Sequence, residues 1–181
     1  MSPDEGRWAA AFPALFAPSY VDYADAQLGF TTHDVPDELV ARLHLVALTP
    51  RRQVIVCRSV QGWRFLPGGT REEGESLVEL ARRELVEEAG ARMTAGLRIF
   101  ASHVADSRRA APYRPHLPHP RGYWAYAVTE AEVVEPPTNP ADGEHVVEVL
   151  ALPSARAAGY LQEHDPLHAD VVRLAGAMDL I

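Results

Sequence analysis

GTREEGESLVELARRELVEEAGA, residues 69–91, holds the clearest helix pattern in this chain of 181 residues. Ser76 is followed three residues later by Glu79, which is a capping-box pattern, and Gly90 stands where a glycine commonly ends a helix. These signals predict a helix over residues 77–89.

Three glutamates share one side of the predicted helix. At about 100° per residue, Glu84, Glu87 and Glu88 fall within an arc of about 100°, and apolar residues flank that arc. Carboxylates clustered beside apolar surface repel one another, and a bound cation relieves the repulsion. Oxygen ligands favour a hard divalent ion such as Mg²⁺, with Mn²⁺ as a substitute. The structural alternative is a solvated acidic stripe that pairs with Arg82 and Arg83.

The same segment resembles the Nudix box of the MutT/Nudix hydrolase family. That motif is a glycine, five residues, a glutamate, seven residues, and then Arg-Glu-aliphatic-x-Glu-Glu-x-Gly-aliphatic. The positions that match in register are Gly69, Glu75, Arg83, Glu84, Leu85, Glu87, Glu88 and Gly90. Ala91 is smaller than the aliphatic residue that the family prefers, and residues 66–69, LPGG, resemble the usual lead-in. The resemblance implies the α/β fold class, as a Nudix-type α/β/α sandwich with a mixed sheet.

The resemblance also implies an enzyme. The expected activity is metal-dependent hydrolysis of a pyrophosphate bond in a nucleoside diphosphate linked to another moiety. The expected partner is therefore a small nucleotide-type molecule, and a nucleoside triphosphate, a nucleotide sugar and a dinucleoside polyphosphate all remain open. The alternatives are a catalytically silent Nudix-fold ligand-binding or regulatory module and an isomerase on the same fold. The intact set of carboxylates favours the hydrolase.

The metal site follows from the resemblance and from the local chemistry. By the resemblance, Glu84 and Glu88 are the primary metal ligands and Glu87 is a further ligand. Gly68 and Gly69 allow a tight loop whose backbone carbonyl can approach a metal closely. The expected cofactor is Mg²⁺, which Mn²⁺ can replace.

The expected catalytic residues are Arg83, Glu75, Glu87 and Glu144. Arg83 and Glu75 are expected to pair and to hold the loop against the helix, because an arginine fork binds a carboxylate bidentately. In several family members a glutamate outside the box, before a late strand, binds the metal or accepts the proton. Glu144 follows a turn signal and is the preferred general base, with Glu148 and Glu87 as the other candidates.

Substrate contacts are expected from two groups of residues. The segment 103–121 is rich in proline, arginine and histidine, and Arg108, Arg109 and Arg114 are its candidate phosphate-binding residues. Its structural alternative is a surface loop without regular structure. The aromatic residues that could stack on a nucleobase are Trp63, Tyr123 and Trp124. Trp63 is included among the substrate-binding residues, although aromatic residues on strands more often belong to the core.

Composition and charge restrict the remaining function classes. With 47% hydrophobic and 23% charged residues, the chain has the composition of a folded protein. Its net charge of −8 argues against a nucleic-acid duplex or an anionic membrane as the main partner. All 17 basic residues are arginine, which excludes Schiff-base lysine chemistry and a lysine-dependent phosphate loop. Cys57, the single cysteine, is expected in the core and suits a reducing compartment, so the expected localisation is cytoplasmic. A homodimer is left open.

The domain organisation is predicted from the order of the elements. Residues 1–40 are interpreted as an N-terminal extension that packs on the domain, and residues 41–181 as the Nudix hydrolase domain. Ser154 is expected to cap a short helix, and the final helix is expected to begin at Asp165-Pro166. Strands are predicted over residues 43–49, 53–58, 63–66, 97–103, 123–129 and 146–152.

Overall fold

A computed structural model describes residues 3–141, 143 and 145–181 of the chain. Its helices are α1 (Pro3–Ala11), α2 (Pro13–Phe16), α3 (Leu77–Ala89), α4 (Ser154–Gln162) and α5 (Pro166–Ala177). Its strands are β1 (Ser19–Val21), β2 (Ala26–Thr31), β3 (Val40–Leu48), β4 (Val54–Ser59), β5 (Arg64–Phe65), β6 (Gly68–Thr70), β7 (Ala91–Met93), β8 (Arg98–Ser107), β9 (Arg121–Val133) and β10 (Val146–Leu152).

The strands form a mixed sheet. Its main path runs β1-β2-β8-β9-β3-β4-β10, while β5 pairs with β4, β6 with β3, and β7 with β9. β3 and β9 are parallel, with Leu45 opposite Ala127. The other pairs are antiparallel. The predicted mixed sheet is therefore confirmed.

The two faces of the sheet bury separate apolar clusters. Leu43 and Leu45 of β3 pack in the cluster that includes the apolar side of α3. Val46 and Leu48 of the same strand pack in the cluster formed with α4 and α5. All four side chains are almost fully buried, because successive side chains of a strand point to opposite faces and both faces are covered. The predicted α/β/α sandwich is confirmed.

Helix α3 has the predicted bounds, and its local hydrogen bonds explain them. The Ser76 hydroxyl accepts a hydrogen bond from the Glu79 backbone N–H at 3.3 Å, and the Glu79 carboxylate accepts one from the Ser76 N–H at 2.8 Å. Gly90 ends the helix with a φ of 57°. A Cβ at Gly90 would lie 1.8 Å from the Glu135 carbonyl oxygen, so the close approach of that chain segment requires glycine.

The two C-terminal helices begin differently from one another. The Asp165 carboxylate accepts a hydrogen bond from the His168 N–H at 2.9 Å, which confirms the predicted start of α5. The prediction that Ser154 caps α4 is wrong. That helix begins at Ser154 itself, Pro153 precedes it, and no side-chain hydrogen bond caps it.

The N-terminal residues supply part of the sheet. β2 pairs with β8 in an antiparallel register, with Phe30 opposite His103 and Ala26 opposite Ser107. Leu15 of α2 is 1% exposed within the cluster under α4 and α5. The division of the chain into an extension of 40 residues and a domain stays a prediction.

The helices of the described residues are short. α3 has 13 residues and α5 has 12. Within the part of the chain that the structure describes, no helix is long and apolar enough to cross a membrane.

Candidate functional site

Arg83 is the centre of a cluster of hydrogen bonds between α3 and the loop before it. Its Nε and Nη2 atoms donate to the two oxygens of Glu75 at 2.8 and 3.1 Å, so the predicted pairing is present. Its Nη1 atom donates to Glu84 at 2.8 Å and to Glu87 at 3.1 Å. The Nη2 atom also donates to the Thr70 carbonyl at 3.1 Å. One guanidinium therefore fixes the loop, the acidic side of α3 and Glu75 relative to one another.

The cluster contains more negative than positive charge. Burial raises the pKa of Glu84 to about 7; Arg83 opposes this rise, and the charges of Glu87 and Glu75 add to it. Burial alone would lower the pKa of Arg83, but its hydrogen bonds and the three carboxylates around it raise that pKa above the ordinary arginine value. The guanidinium stays charged and neutralises only part of the cluster. A further cation is therefore favoured there.

Two glycines bring the loop directly onto the carboxylates. A Cβ at Gly69 would lie 2.2 Å from Oε1 of Glu84, so the carboxylate uses the space that a side chain would fill. The Gly68 N–H donates to Oε2 of Glu88 at 2.8 Å. A Cβ at Gly68 would lie 2.2 Å from the Leu43 carbonyl oxygen, which explains why this position also needs glycine.

The donor chemistry of this cluster fits a hard divalent cation. Glu84 and Glu88 are 5% and 7% exposed, and the side chain of Glu87 is more accessible, at 25%. The available donors are carboxylate oxygens, which suit Mg²⁺ or Mn²⁺ better than soft metals. Among the described residues, no group of three or more acidic, histidine or cysteine side chains forms a ready cage for a metal ion. Proteins commonly bind Mg²⁺ through one or two carboxylates, with water and substrate oxygens completing the shell.

A cavity of about 440 Å³ lies next to the loop. Thr70 lines it, and the same residue accepts a hydrogen bond from Arg83 through its carbonyl. The cavity walls come from the turn before β2, from β3, β8 and β9, and from the loop between β8 and β9. Thr70 therefore borders the cavity and, through its carbonyl, contacts the arginine at the centre of the acidic cluster.

The predicted substrate-binding residues have different positions relative to this cavity. Arg109 lines it. Arg108 lies over the ring of Tyr20 at 5.4 Å, and Arg114 lies 5.9 Å from the ring of its neighbour Tyr113. Trp63 is 57% exposed and contacts His164. Arg108, Arg114 and Trp63 do not line the cavity.

Arg42 and Tyr23 are among the cavity residues that the sequence did not predict. Arg42 projects from β3, and Tyr23 comes from the N-terminal segment. The ring of Tyr23 is within 9° of parallel to that of Trp124, with the centroids 6.4 Å apart. Arg42 had a detectable signal, because it is a charged residue in the run 40–48, which is apolar apart from Arg42 and His44. Tyr23 had none, because its position depends on the distant pairing of β2 with β8.

Buried polar side chains lie on the sheet face that packs against α5. The ring nitrogen Nδ1 of His103 is 3.0 Å from the Tyr126 hydroxyl. The ring of His44 is tilted against that of His168, with the centroids 4.6 Å apart, and His168 pairs with Asp165 at 2.9 Å. Burial lowers the pKa of His103 to about 4 and that of His44 well below its ordinary value. These two histidines are therefore neutral at pH 7.

Cys57 does not belong to the site. Its side chain is fully buried, and its thiol lies 3.3 Å from the Glu88 carbonyl oxygen. Burial raises the pKa of this thiol well above its ordinary value. The prediction that Cys57 is a core residue is confirmed.

Glu144 and Glu148 are the two candidates for a general base outside α3. Glu144 lies outside the described residues. Glu148 accepts hydrogen bonds from Nε of Arg58 at 3.0 Å and from the Tyr160 hydroxyl at 2.9 Å. These contacts direct its carboxylate to the α4 side of the sheet, opposite α3. Near α3, the Asn139 N–H donates to the Glu87 carbonyl at 3.2 Å.

Comparisons with known proteins agree with this architecture. A family model described as the NUDIX domain matches residues 39–174. A pyrophosphohydrolase from Bacillus subtilis, BsRppH, superposes with a TM-score of 0.57 at 15% identity, covering 91% of this chain and 94% of that chain. A MutT protein from Methanosarcina mazei Go1 gives a TM-score of 0.50 at 17% identity, covering 81% and 99%. At these identities the likeness shows the fold. Curated protein sequences give no match.

Acidification is expected to destabilise the protein through His103. Its pKa is about 4 in the fold, against 6.5 for an ordinary histidine, so the unfolded chain binds more protons between these pH values. Stability should therefore fall as the pH drops below about 6.5, by roughly 3 kcal/mol at full effect. Urea unfolding from about pH 7 to about pH 5 measures this loss.

His103→Gln keeps a hydrogen-bond acceptor for Tyr126 and should show a clearly smaller loss of stability on acidification. His116→Gln, at an exposed position on the loop, is the matched control and should behave like the wild type. Equal pH dependence in the wild type and in His103→Gln would contradict the assignment.

Proposed function

This chain belongs to the MutT/Nudix hydrolase family, whose members hydrolyse pyrophosphate bonds, and we propose that its substrate is a nucleoside diphosphate linked to another moiety. The observation that carries the proposal is the Arg83-centred cluster, with Glu84 and Glu88 buried beneath Gly68 and Gly69. The buried carboxylates outnumber the single guanidinium of Arg83. Their repulsion destabilises the fold unless a further positive charge binds. A pyrophosphate substrate needs the same cation, because its own oxygens repel a nucleophile.

The proposed metal ligands are Glu84, Glu88 and Glu87, with the loop at Gly68 and Gly69 beside them. Mg²⁺, or Mn²⁺ in its place, would neutralise the diphosphate and acidify the attacking water when bound there. The Gly68 N–H hydrogen bond fixes Glu88 in direction, and Gly69 leaves room for Glu84. The protein thus supplies negative oxygens at fixed positions before the substrate arrives.

Arg83 and Glu75 act as positioning residues in this proposal. Arg83 bonds to the Thr70 carbonyl and to the carboxylates of α3, so it ties the cavity wall to the acidic cluster. Glu75 holds two of its nitrogen atoms and sets the plane of the guanidinium. The substrate is then aligned between a cavity and a metal site that share one rigid connection.

A nucleotide-release assay with wild type and Glu88→Gln tests the proposal. The panel contains nucleoside triphosphates, nucleotide sugars and dinucleoside polyphosphates, with Mg²⁺ or Mn²⁺. Glu88→Gln keeps an acceptor for the Gly68 N–H but removes one negative charge. The rate should fall by at least about a hundredfold, which corresponds to about 3 kcal/mol in the barrier. The free energy of unfolding should stay the same or rise, because a like-charge repulsion is removed.

Glu132→Gln is the matched control for this experiment. Glu132 is exposed and pairs only loosely, at 3.4 Å, with Arg92 on the surface. Its variant should turn over like the wild type. A wild-type kcat in Glu88→Gln at saturating metal would show that α3 is not the catalytic site. No turnover on any member of the panel, with nucleotide binding intact, would favour a ligand-binding module.

The general base is proposed to be Glu144, with Glu87 as the alternative on the helix. What supports Glu144 is its place in the sequence, after Asn139, whose N–H bonds to the Glu87 carbonyl, and before the start of β10. Glu148 is less suited, because Arg58 and Tyr160 hold its carboxylate and lower its pKa. A base must be within reach of the attacking water.

Glu144→Gln and Glu148→Gln form a matched pair for testing the base. The pH–rate profile of Glu144→Gln should lose the acidic limb of kcat, since that limb reports protonation of the base. Glu148→Gln should keep the wild-type profile. An unchanged rate and profile in Glu144→Gln would assign the role to Glu87.

A further inference from the structure

The glycine that bonds to Glu88 has a histidine ring on its other side. His44 of β3 stands opposite Gly68 of β6 in their antiparallel pair. A Cβ at Gly68 would lie 2.6 Å from the Cα atom of His44 and 2.9 Å from its Nδ1 atom, so the ring lies directly against the glycine. The Gly68 N–H donates to Oε2 of Glu88 at 2.8 Å. Gly68 therefore connects the His44 ring to a carboxylate that is a proposed metal ligand.

Two histidines contact the backbone that leads into Gly68. The backbone nitrogen of Leu66 lies 3.5 Å from Nδ1 of His168. Burial lowers the pKa of His44 well below its ordinary value, and a hydrogen bond with the Leu66 backbone opposes this shift. Leu66 itself is fully buried. The chain just before Gly68 is therefore held by the histidines of β3 and α5.

Asp165 fixes the histidine that packs on His44. One oxygen of Asp165 accepts a hydrogen bond from the His168 backbone N–H at 2.9 Å, and the other lies 2.9 Å from Nδ1 of the same residue. Because a carboxylate accepts, Nδ1 of His168 carries a hydrogen, and the orientation of the ring is set. The ring of His168 is 7% exposed and lies with its centroid 4.6 Å from that of His44. His44 cannot turn toward α5 without displacing a ring that Asp165 holds.

His44 keeps a polar atom that its surroundings do not satisfy. Its Nδ1 atom is buried without a hydrogen-bond partner among the described residues. Such an atom lowers the stability of the fold, and an apolar side chain at this position would avoid the cost. Costs of this kind are typical of functional sites, where position takes precedence over stability.

We propose that His44 is a positioning residue for the metal site, because its ring holds Gly68 where the Gly68 N–H orients Glu88. His168 and Asp165 support this contact from α5. The inference rests on the proposed function, in which Glu88 binds the cation. A carboxylate that is oriented before the cation arrives binds it more tightly, and groups outside the ligand set commonly supply that orientation.

Nuclear magnetic resonance of the metal-free protein tests this placement directly. His44→Ala removes the ring, so the hydrogen bond from Gly68 to Glu88 should lengthen and the Gly68 amide proton resonance should move upfield. Calorimetric titration should show an affinity for Mn²⁺ reduced by about tenfold, the usual effect of losing a group that orients a metal ligand. His44→Asn keeps an amide atom near the position of Nδ1 and should restore most of both properties.

His103→Gln is the matched control within the same group of buried histidines. Its ring lies 3.0 Å from the Tyr126 hydroxyl and belongs to β8, away from the residues before Gly68. This variant should keep the wild-type Gly68 resonance and the wild-type affinity for Mn²⁺. An equal fall in Mn²⁺ affinity in His103→Gln and His44→Ala would overturn the inference, since a general loss of stability would then account for both.

A second variant covers the case in which His44→Ala does not fold. Asp165→Asn keeps a good helix cap for α5 and removes the charge that holds His168. It should move the Gly68 resonance in the same direction to a smaller extent, and an unchanged resonance in every variant that folds would overturn the inference. A wild-type protein that binds no Mn²⁺ would instead overturn the proposed function, while the Gly68 resonance would still decide whether His44 places Glu88.

Discussion

The hydrogen bonds of Arg83 connect the parts of this molecule on which its chemistry depends. One planar guanidinium reaches Glu75, Glu84, Glu87 and the Thr70 carbonyl. It joins a loop, a helix and the edge of a cavity, and a lysine could not bond to all of them in the same geometry. Because the group is partly buried, removing it would leave carboxylates without a counter-charge, which is far more costly than losing an exposed ion pair.

The close approach of the loop to α3 is the second constraint. Like the hydrogen bonds of Arg83, it holds the carboxylates of the helix in fixed positions. Gly68 and Gly69 have no Cβ, so the chain can lie against the carboxylates of Glu84 and Glu88. The fold thereby holds repelling negative charges at the border of the core, where burial raises the pKa of Glu84. Such an arrangement weakens the isolated protein and prepares it for a cation, a common compromise at catalytic sites.

The sequence predicts the acidic helix because its signals are local. Ser76, Glu79 and Gly90 define the helix ends, and the spacing of the glutamates places them on one side. The cavity could not be predicted in the same way, because Tyr23 and Arg42 meet Trp124 only through the pairing of β2 with β8 and of β3 with β9. Short strands such as β1, with three residues, have no period to detect. The cap assigned to Ser154 failed because a proline, which has no side-chain acceptor, precedes that helix.

The central claim is that Glu84, with the loop packed against it, binds the catalytic cation, and Gly69→Ala tests it most directly. The new Cβ would lie 2.2 Å from Oε1 of Glu84, and the flexible carboxylate must move while the fold remains. Calorimetric titration with Mn²⁺ should show an affinity reduced by at least about tenfold, with a free energy of unfolding within about 1 kcal/mol of the wild type. Gly96→Ala, where a Cβ meets nothing within 4 Å, should bind Mn²⁺ like the wild type. Unchanged Mn²⁺ affinity in Gly69→Ala would contradict the account.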